Sequence, residues 1–489
     1  MKTYKGLITE LKIDKYAFGG KGIAKISREE ISGNESEAGS TNNYIVFVDN
    51  AYPGDVVQAE ITKSKKNYSE AKILKIIQPS ADRIIPECDY FGICGGCKQQ
   101  NLRYETQLKL KQKQIEEVFI NPGGFKEIPM EEIVPSERIY FYRNKMEFTF
   151  SEKRWLTDEE IKSDIVHDSR FGLGLHPASA YIKVVDIYRC LLQSELSNQI
   201  VNCTREFFKS RGTSVYNTKT HSGYLRHLVI RQSEIHKQVM VNIVTAYEDD
   251  IIMRQYTNYL LSAIKNITTI VNNINLKKAA IATGDYEKVF YGDGFITDSI
   301  GKYKFRISAN SFFQTNTLQA EKLYDVVKDF ADIKNNHIVY DLYSGAGTIA
   351  VYLSAFSAKV FCFESSGSAI ADAEENFKLN SVNNVRTVKA DLYKPIKAII
   401  EAHKIPEPDI VITDPPRGGM HKNVIEDIIS LNPQKIVYVS CNPATQVRDL
   451  KYFNEAGYRL IRVKPVDMFP HTYHIENVVL LGKDQIREV

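Results

Sequence analysis

The 489-residue sequence lacks any run of about 18 consecutive apolar residues, so no transmembrane helix is expected. Its first residues also lack the pattern of a secretory signal peptide. The net charge is only +3 while 43% of the residues are hydrophobic, so bulk charge does not indicate a nucleic-acid partner. We therefore expect a cytoplasmic protein of two or three domains, in which any RNA-binding surface is a local basic patch.

Cysteine is odd in number, with seven residues, which argues against a disulfide framework in a chain of this length. Three cysteines form the short pattern Cys88-x5-Cys94-Gly-Gly-Cys97, a spacing typical of a metal or iron–sulfur site. A fourth thiolate must come from elsewhere, and Cys190 is the candidate. Zinc is nearly as good an interpretation of the residues alone, because three cysteines and one further ligand are also a zinc pattern.

The C-terminal part alternates strand and helix patterns, which predicts a parallel, doubly wound sheet. Strands are predicted to begin near His337, Lys359, Val385, Asp409 and Lys435. In such sheets a ligand binds beyond the carboxyl ends of the strands. The segment from Asp341 to Gly347, the acidic residues Glu364, Asp391 and Asp414, and the thiol of Cys441 all fall at those ends, so we expect one shared site.

The sequence also lacks a phosphate-gripping Gly-Lys-Ser/Thr run, and the dinucleotide fingerprint is not completed here. Gly345 and Gly347 allow the backbone to approach a ligand closely. Glu364 suits ribose hydroxyls and Asp391 suits an adenine amino group. A nucleoside without phosphates fits best, and S-adenosylmethionine is the common one. A nicotinamide-binding or a non-binding α/β domain stays open on this segment alone.

Three residues near the C-terminus indicate a specific kind of covalent chemistry. Cys441 and Asp414 each follow a strand, and Glu476 precedes the apolar run Val478-Val-Leu-Leu. A thiol and carboxylates in this setting can add to an electron-poor ring, hold it, and later remove a proton from it. A helix that begins near Pro443 would favour the thiolate form of Cys441.

Five ordered motifs resemble those of the RNA 5-methyluridine methyltransferases. They are Ala309–Asn316, Asp341–Thr348, Asp414-Pro-Pro-Arg417, Ser440-Cys-Asn-Pro443 and His471–Glu476. The resemblance covers nearly the whole chain and implies a class I methyltransferase that uses S-adenosylmethionine. One departure is Ser344, where the family often has cysteine, at a position with no assigned catalytic role.

The resemblance implies roles for individual residues. Cys441 would add to carbon 6 of uracil, so that carbon 5 can take the methyl group, and Glu476 would then remove the carbon-5 proton. Gln314 and Asp414 would contact cofactor and uracil, and Tyr343 would pack on the cofactor.

The iron–sulfur members of the family share the cysteine pattern. The resemblance therefore favours a 4Fe–4S cluster held by Cys88, Cys94, Cys97 and Cys190 over zinc. With four cysteine ligands the cluster has no open iron, so we expect a structural or RNA-positioning role.

The chain is predicted to combine an α/β fold with a β-barrel in three parts. Residues 1–79 contain short alternating strands and resemble the TRAM domain, an oligonucleotide-binding type of barrel. Residues 80–305 form a central α/β domain with the cluster and RNA contacts, and residues 306–489 form the Rossmann-like methyltransferase domain. The polar stretch from Glu29 to Asn43 is expected to be a loop, and Tyr104 to Phe119 a helix whose packing partner the sequence does not reveal.

The preferred substrate is a uridine in 23S rRNA, because barrel and cluster together resemble the ribosomal branch of the family. A tRNA 5-methyluridine methyltransferase and a non-catalytic RNA chaperone are the alternatives. Amino-group methyltransferases place an aromatic residue after Asp-Pro-Pro, where this chain has Arg417, and 5-methylcytosine enzymes lack the His471–Glu476 segment. No obligate protein partner is implied.

Overall fold

The computed structural model describes residues 4–26, 44–178, 180 and 182–483. The chain divides into two compact units. The first comprises Met1–Phe91, Cys97–Glu127 and Phe469–Ile475; the second comprises Gly92–Gly96, Ile128–Met468 and Glu476–Val489. The loop predicted from Glu29 to Asn43 lies entirely outside the described residues. The three-part division by function stays a prediction.

The first unit is built around the predicted barrel. Its strands are β1 (Ile8–Ala17), β2 (Lys21–Ile26), β3 (Tyr44–Asp49), β4 (Val56–Ser64) and β5 (Tyr68–Gln78). They close in the order β1-β2-β3-β5-β4. Alternate residues of each strand face the interior, as the alternation of Tyr44, Val46 and Val48 with exposed or half-buried neighbours shows. Closure removes the free strand edges, which confirms the predicted barrel.

Helix α1 (Tyr104–Ile120) also belongs to the first unit. The predicted helix from Tyr104 to Phe119 is therefore one residue longer in the structure. Its Leu110 packs in an apolar cluster with the barrel residues Tyr16 and Tyr52. The helix is thus placed against the barrel rather than in the methyltransferase part.

The second unit contains a seven-stranded sheet in its N-terminal part, with the order β12-β11-β10-β9-β6-β7-β8. Its strands are β6 (Lys145–Ser151), β7 (Gly172–Leu175), β8 (Val185–Asp186), β9 (Leu225–Ser233), β10 (Gln238–Thr245), β11 (Thr269–Ile274) and β12 (Tyr286–Tyr291). The accompanying helices are α2 (Asp158–Lys162), α3 (Glu195–Ser210) and α4 (Asp250–Ala263). A hairpin, β13 (Phe295–Ile300) and β14 (Tyr303–Ser308), leads from this sheet to the next.

A second seven-stranded sheet forms the C-terminal part, with the order β17-β16-β15-β18-β19-β21-β20. Its strands are β15 (Ile338–Leu342), β16 (Lys359–Glu364), β17 (Val385–Lys389), β18 (Ile410–Thr413), β19 (Lys435–Ser440), β20 (Tyr458–Val466) and β21 (Glu476–Lys483). The helices are α5 (Thr317–Ala331), α6 (Thr348–Ser354), α7 (Gly367–Leu379), α8 (Lys397–Ala402), α9 (Lys422–Leu431) and α10 (Pro443–Glu455). Strands β15 to β19 pair in parallel, which confirms the predicted doubly wound sheet.

The central strands of this sheet are apolar, and both of their faces are covered. All four residues of β18 are buried, as are five of the six residues of β19. Continuous burial of short β-branched runs is typical of a parallel sheet between two helical layers. Among the described residues, no helix is long and apolar enough to cross a membrane.

Candidate active site

The predicted site residues meet at one edge of the C-terminal sheet. Strand β15 pairs in parallel with β16 and with β18, and β18 pairs in parallel with β19, so the carboxyl ends of these strands share one edge. Strand β21 runs antiparallel to β19, with Ser440 opposite Asn477. Glu476 begins β21 and therefore lies at the same edge as Cys441, which follows Ser440.

Cys441 is a half-buried free thiol whose surroundings disfavour negative charge. Burial raises its pKa to about 11, and the carboxylates of Glu476 and Asp414 add to the rise. The guanidinium of Arg417 acts in the opposite direction, through its charge and through a hydrogen bond to the thiol. The free protein therefore holds Cys441 protonated at neutral pH, with one cation placed to stabilise the thiolate.

The helix that follows Cys441 lies where the sequence predicted it. α10 begins at Pro443, and the side chain of its N-cap Asn442 accepts a hydrogen bond from the amide of Ala444 at 3.2 Å. A helix N-terminus lowers the pKa of a thiol. Burial and two neighbouring carboxyl groups nevertheless give the Cys441 pKa a net upward shift. The thiolate-favouring effect of the helix N-terminus stays a prediction.

Burial raises the pKa of three of the carboxyl groups at this edge. The pKa of Asp341 rises to about 8 through burial first and the charge of Asp414 second. The pKa of Glu476 lies well above its usual value for the same two reasons, although Arg417 opposes the shift. Burial also raises the pKa of Asp414. Such a cluster holds protons near neutral pH and can accept or donate them as a charged ligand arrives.

The glycine turn after β15 leaves space for a ligand. Gly345 and Gly347 adopt positive φ angles of 53° and 72°, which glycine takes without strain. A Cβ on Gly347 would come 2.7 Å from the ring of Phe377, whereas a Cβ on Gly345 would meet no described atom within 4 Å. Among the described residues, the carboxylate oxygens of the buried Asp341 have no well-formed hydrogen bond, although the backbone of Ala350 interacts with this carboxyl group and opposes the rise of its pKa. Open space beside a backbone turn and polar atoms without a well-formed hydrogen bond fit a bound polar ligand.

Glu364 and Asp391 behave differently at the ends of β16 and β17. One carboxylate oxygen of Glu364 accepts a hydrogen bond from the amide of Gly345 at 3.0 Å, and the other accepts from Ser365 and Ser366 at 2.7 Å each. Glu364 is thus a fixed group beside the glycine turn. Asp391 is exposed and accepts a hydrogen bond from the amide of Tyr393 at 3.1 Å. Its other oxygen lies 3.5 Å from the ammonium group of Lys394, so Asp391 forms an exposed ion pair at the rim.

Tyr343 has the strained backbone of the turn, with φ of 63° in a residue other than glycine. Burial raises the pKa of its hydroxyl, and a hydrogen bond to the backbone of His421 opposes that shift. The side chain therefore connects the glycine turn to the segment that follows the Asp414-Pro-Pro-Arg417 motif.

The segment before α5 is fixed by contacts to the N-terminal sheet of the same unit. The backbone carbonyl of Gln314 accepts a hydrogen bond from the side chain of Asn144 at 2.7 Å. Arg231 donates to the carbonyls of Ala309, at 3.2 Å, and of Ser311. Gln314 is not a helix cap, because Asn316 caps α5. These contacts hold the segment with the Gln314 side chain nearly buried.

The other predicted residues fall in different units. Residues Phe469–Ile475 belong to the first unit, where the side-chain oxygen of Gln107 accepts a hydrogen bond from the amide of His471 at 2.9 Å. Burial lowers the pKa of His471 to about 4, so this histidine is neutral at physiological pH. Of the segment His471–Glu476, only Glu476 belongs to the second unit.

The cysteine pattern is divided in the same way, with Cys88 and Cys97 in the first unit and Cys94 and Cys190 in the second. None of the four forms a disulfide. The amide of Gly96 donates to the sulfur of Cys94 at 3.4 Å, as backbone amides do to ligand thiolates. Across the part of the chain that the structure describes, however, no group of three or more His, Cys, Asp or Glu side chains is arranged to hold a metal ion.

Sequence reasoning assigned no role to several residues of this site. Arg417 was noted only for its place after Asp-Pro-Pro, yet it contacts the thiol of Cys441. Asn144 and Arg231 are distant in sequence from the segment that they hold. The basic residue within the Asp-Pro-Pro-Arg motif could have indicated a role for Arg417. The contacts of Asn144 and Arg231 depend on tertiary packing, which the sequence does not show.

The raised pKa of Cys441 predicts a specific alkylation profile for the free protein. Iodoacetamide reacts with the thiolate, so the rate at Cys441 should climb about tenfold per pH unit up to about pH 10. An unperturbed cysteine levels off above a pH of about 8.5. Mass spectrometry of the peptide that contains Cys441 measures the rate, and a synthetic peptide of the same sequence is the control. A plateau of Cys441 at the pH of the free peptide would contradict the described environment.

Comparison with known proteins agrees with the fold. The family described as tRNA (Uracil-5-)-methyltransferase matches residues 230–484, and the TRAM domain matches residues 2–74. An uncharacterized RNA methyltransferase of Chlorobaculum tepidum is 43% identical over 87% of this chain and 89% of its own length. One from Bacteroides thetaiotaomicron is 38% identical over 90% and 97%, and one from Thermotoga maritima is 34% identical over 98% and 99%.

A solved structure matches across almost the whole chain. The tRNA (uracil-54, C5)-methyltransferase of Pyrococcus abyssi, in complex with S-adenosyl-L-homocysteine, is 28% identical, with a TM-score of 0.72 over 96% of this chain and 99% of the other. The family match also covers more than half of the sequence, so both comparisons indicate the same family. The chain belongs to the RNA uracil-5-methyltransferase family, a family of RNA-methylating enzymes, and carries an N-terminal TRAM domain.

Proposed function

We propose that the protein transfers a methyl group from S-adenosylmethionine to carbon 5 of a uridine in RNA, with Cys441 as the covalent nucleophile. The observation that supports this proposal is the position of Cys441, Asp414 and Glu476 at the sheet edge that also carries the glycine turn. Carbon 5 of uracil is a weak nucleophile, so an enzyme must first make it electron-rich. Addition of a thiolate to carbon 6 does this.

The proposed reaction balances its protons and electrons within the site. Cys441 loses its proton to a neighbouring carboxylate, and its sulfur bonds to carbon 6 while the electron pair moves towards the carbonyl at carbon 4. Arg417 stabilises the thiolate before it attacks. Bound S-adenosylmethionine supplies the electrophilic methyl group. The carboxylate of Glu476 then takes the proton from carbon 5, the bond between carbon 6 and sulfur breaks, and Cys441 is restored.

The raised pKa of Glu476 suits the role of general base. A base works best when its pKa lies near the working pH, because it must be free to accept a proton and strong enough to take one. Burial keeps the pKa of Glu476 above that of an exposed glutamate, and the charge of Asp414 raises it further. Asp414 is proposed to contact both uracil and cofactor from the end of β18.

The cofactor is proposed to lie over the glycine turn. Gly345 and Gly347 provide close approach, and the fixed carboxylate of Glu364 binds the ribose hydroxyls. Asp391 at the rim binds the adenine amino group. This placement uses the open space beside Gly345.

Two further residues are proposed to contact the cofactor. The nearly buried side chain of Gln314 reaches it from the segment held by Asn144 and Arg231. Tyr343 packs on it from the turn. These roles follow from the family's motifs and, for Tyr343, from its place in the glycine turn.

The two catalytic residues should fail in different ways when they are changed. Cys441→Ala removes the nucleophile and should lower methyl transfer from labelled cofactor by more than about 1,000-fold. Glu476→Gln retains addition and methyl transfer but not proton removal, so the protein should stay covalently bound to methylated RNA on a denaturing gel. Cys203→Ala, at a half-buried cysteine of α3, is the matched control. Full turnover by Cys441→Ala would refute the mechanism.

The RNA substrate is proposed to be 23S rRNA, with tRNA as the alternative. The TRAM domain supports an RNA substrate in general. The ribosomal assignment rests on the resemblance of barrel and cysteine pattern to that branch of the family. The alternative is favoured by the likeness to the tRNA enzyme of Pyrococcus abyssi.

Measuring methyl transfer to 23S rRNA and to tRNA distinguishes the two candidate substrates. We expect label from S-adenosylmethionine to enter unmodified 23S rRNA transcript and not unmodified tRNA transcript. Digestion to nucleosides should recover the label as 5-methyluridine. Label in tRNA alone would replace the ribosomal assignment and leave the methyltransferase intact. The Cys441→Ala variant supplies the background for both RNAs.

A 4Fe–4S cluster held by Cys88, Cys94, Cys97 and Cys190 is proposed from the resemblance, and no step of the reaction is routed through it. Protein purified without oxygen should be brown and absorb near 400 nm, about four iron and four sulfide ions per chain being present. Cys190→Ser should lower the iron content, whereas Cys203→Ser should not. Colourless protein that contains zinc would overturn the cluster in favour of the zinc interpretation.

A further inference from the structure

Two adjacent residues of α10, Arg448 and Asp449, contact the loop of residues 414–420 that carries the Asp-Pro-Pro-Arg motif. We refer to them as the α10 pair. We propose that the α10 pair is a positioning device, which holds the motif loop so that Arg417 reaches the thiol of Cys441. This inference rests on the proposed function. It adds two residues that would influence Cys441 only through the position of Arg417.

Asp449 joins the motif loop to the strand that leads to Cys441. Its carboxylate is fully buried. One oxygen accepts hydrogen bonds from the amide of Met420 at 2.8 Å and from the hydroxyl of Tyr438 at 2.7 Å. Tyr438 belongs to β19, two residues before its end. A single buried oxygen thus links the end of the motif loop to the strand that positions the nucleophile.

Arg448 makes the burial of that carboxylate possible and contacts the loop itself. Its Nε and Nη2 donate to the other oxygen of Asp449 at 2.8 and 2.6 Å. Its Nη2 also donates to the backbone carbonyls of Gly418 at 3.1 Å and of Met420 at 3.2 Å. A buried carboxylate is costly unless it is paired and hydrogen-bonded, and here both conditions are met.

The loop backbone fits closely against the pair. Gly419 has φ of 76°, and a Cβ at this position would come 2.7 Å from both Arg448 and Asp449. Only glycine therefore allows the loop to approach the pair this closely. The contact is specific in shape as well as in hydrogen bonding.

The first turn of α10 completes the attachment next to the cation itself. The carbonyl of Arg417 accepts hydrogen bonds from the side chain of Asn442 at 3.0 Å and from the hydroxyl of Thr445 at 3.2 Å. Asn442 directly follows Cys441. The backbone of Arg417 is therefore tied to the residue after the nucleophile, and the α10 pair fixes the remainder of the loop.

The arrangement has a consequence that a purely structural role lacks. The guanidinium of Arg417 is exposed and long, so its contact with the thiol depends on where the loop places its backbone. A direct effect of charge and a loss of positioning predict opposite effects of Asp449→Asn on the thiolate fraction of Cys441. Loss of a negative charge from the protein would by itself tend to favour an anion such as the thiolate, whereas a displaced Arg417 disfavours it.

The test measures Cys441 in the free protein and in turnover. In Asp449→Asn, the alkylation rate of Cys441 by iodoacetamide at a fixed pH should fall by about threefold or more, as expected when a stabilising cation is withdrawn. Single-turnover methyl transfer to RNA at saturating cofactor should fall by about 10- to 100-fold, the cost of a small misplacement of a catalytic group. Arg448→Gln should act similarly, and Arg448→Lys should recover part of both rates. Glu455→Gln, an exposed acid at the end of α10, is the matched control.

The alkylation rate and the rate of methyl transfer together decide whether the α10 pair has this positioning role. A slower alkylation of Cys441 in folded Asp449→Asn, with recovery by Arg448→Lys relative to Arg448→Gln, supports the positioning role. Unchanged or faster alkylation, or a loss of methyl transfer no larger than the loss of folded protein seen by circular dichroism, overturns it. The alkylation measurement needs no RNA. If wild-type protein transfers no methyl group to any RNA, the proposed function fails while the positioning role is still decided.

Discussion

The burial of acidic groups around one thiol is the constraint on which the active-site arrangement depends. Cys441, Asp414 and Glu476 lie at a sheet edge where removal from water raises the pKa of all three. Negative charge is therefore scarce at this edge in the free protein, although the proposed reaction needs a thiolate and a basic carboxylate. A cation placed among these groups lowers their pKa values, so a positively charged methyl donor would itself prepare the site. On the proposed mechanism, the charge of the cofactor would thus favour the thiolate and the basic carboxylate that the reaction needs.

The fold produces this arrangement through strand direction. Parallel strands bring their carboxyl ends to one edge, and the antiparallel strand β21 brings its first residue to the same place. The proposed nucleophile, the proposed base and the glycine turn therefore lie close together although they are far apart in the sequence. The loop with Arg417 is the exception, since side chains of α10 hold it rather than a strand. This difference is the physical reason for proposing a dedicated attachment of Arg417.

Sequence patterns predicted the parts of the site that follow from periodicity and strand ends. The strands that precede Cys441 and Glu364 begin and end as predicted, and α10 begins at Pro443. The burial that raises the pKa of Cys441 was not predictable, because a local pattern shows a helix N-terminus but not what packs around the thiol. The partner of α1 was not predictable either, since Leu110 meets the barrel only in the folded unit.

The central claim is that Cys441 bonds to carbon 6 of a uridine in RNA, and trapping that bond tests it most directly. Fluorine at carbon 5 cannot leave as a proton does, so RNA that contains 5-fluorouridine should stop the reaction after methyl transfer. Incubation of wild-type protein with this RNA and S-adenosylmethionine should give a complex that survives denaturation. Mass spectrometry should locate the RNA adduct on the peptide that contains Cys441. A complex attached elsewhere, or methyl transfer to normal RNA without any trapped complex, would contradict the account.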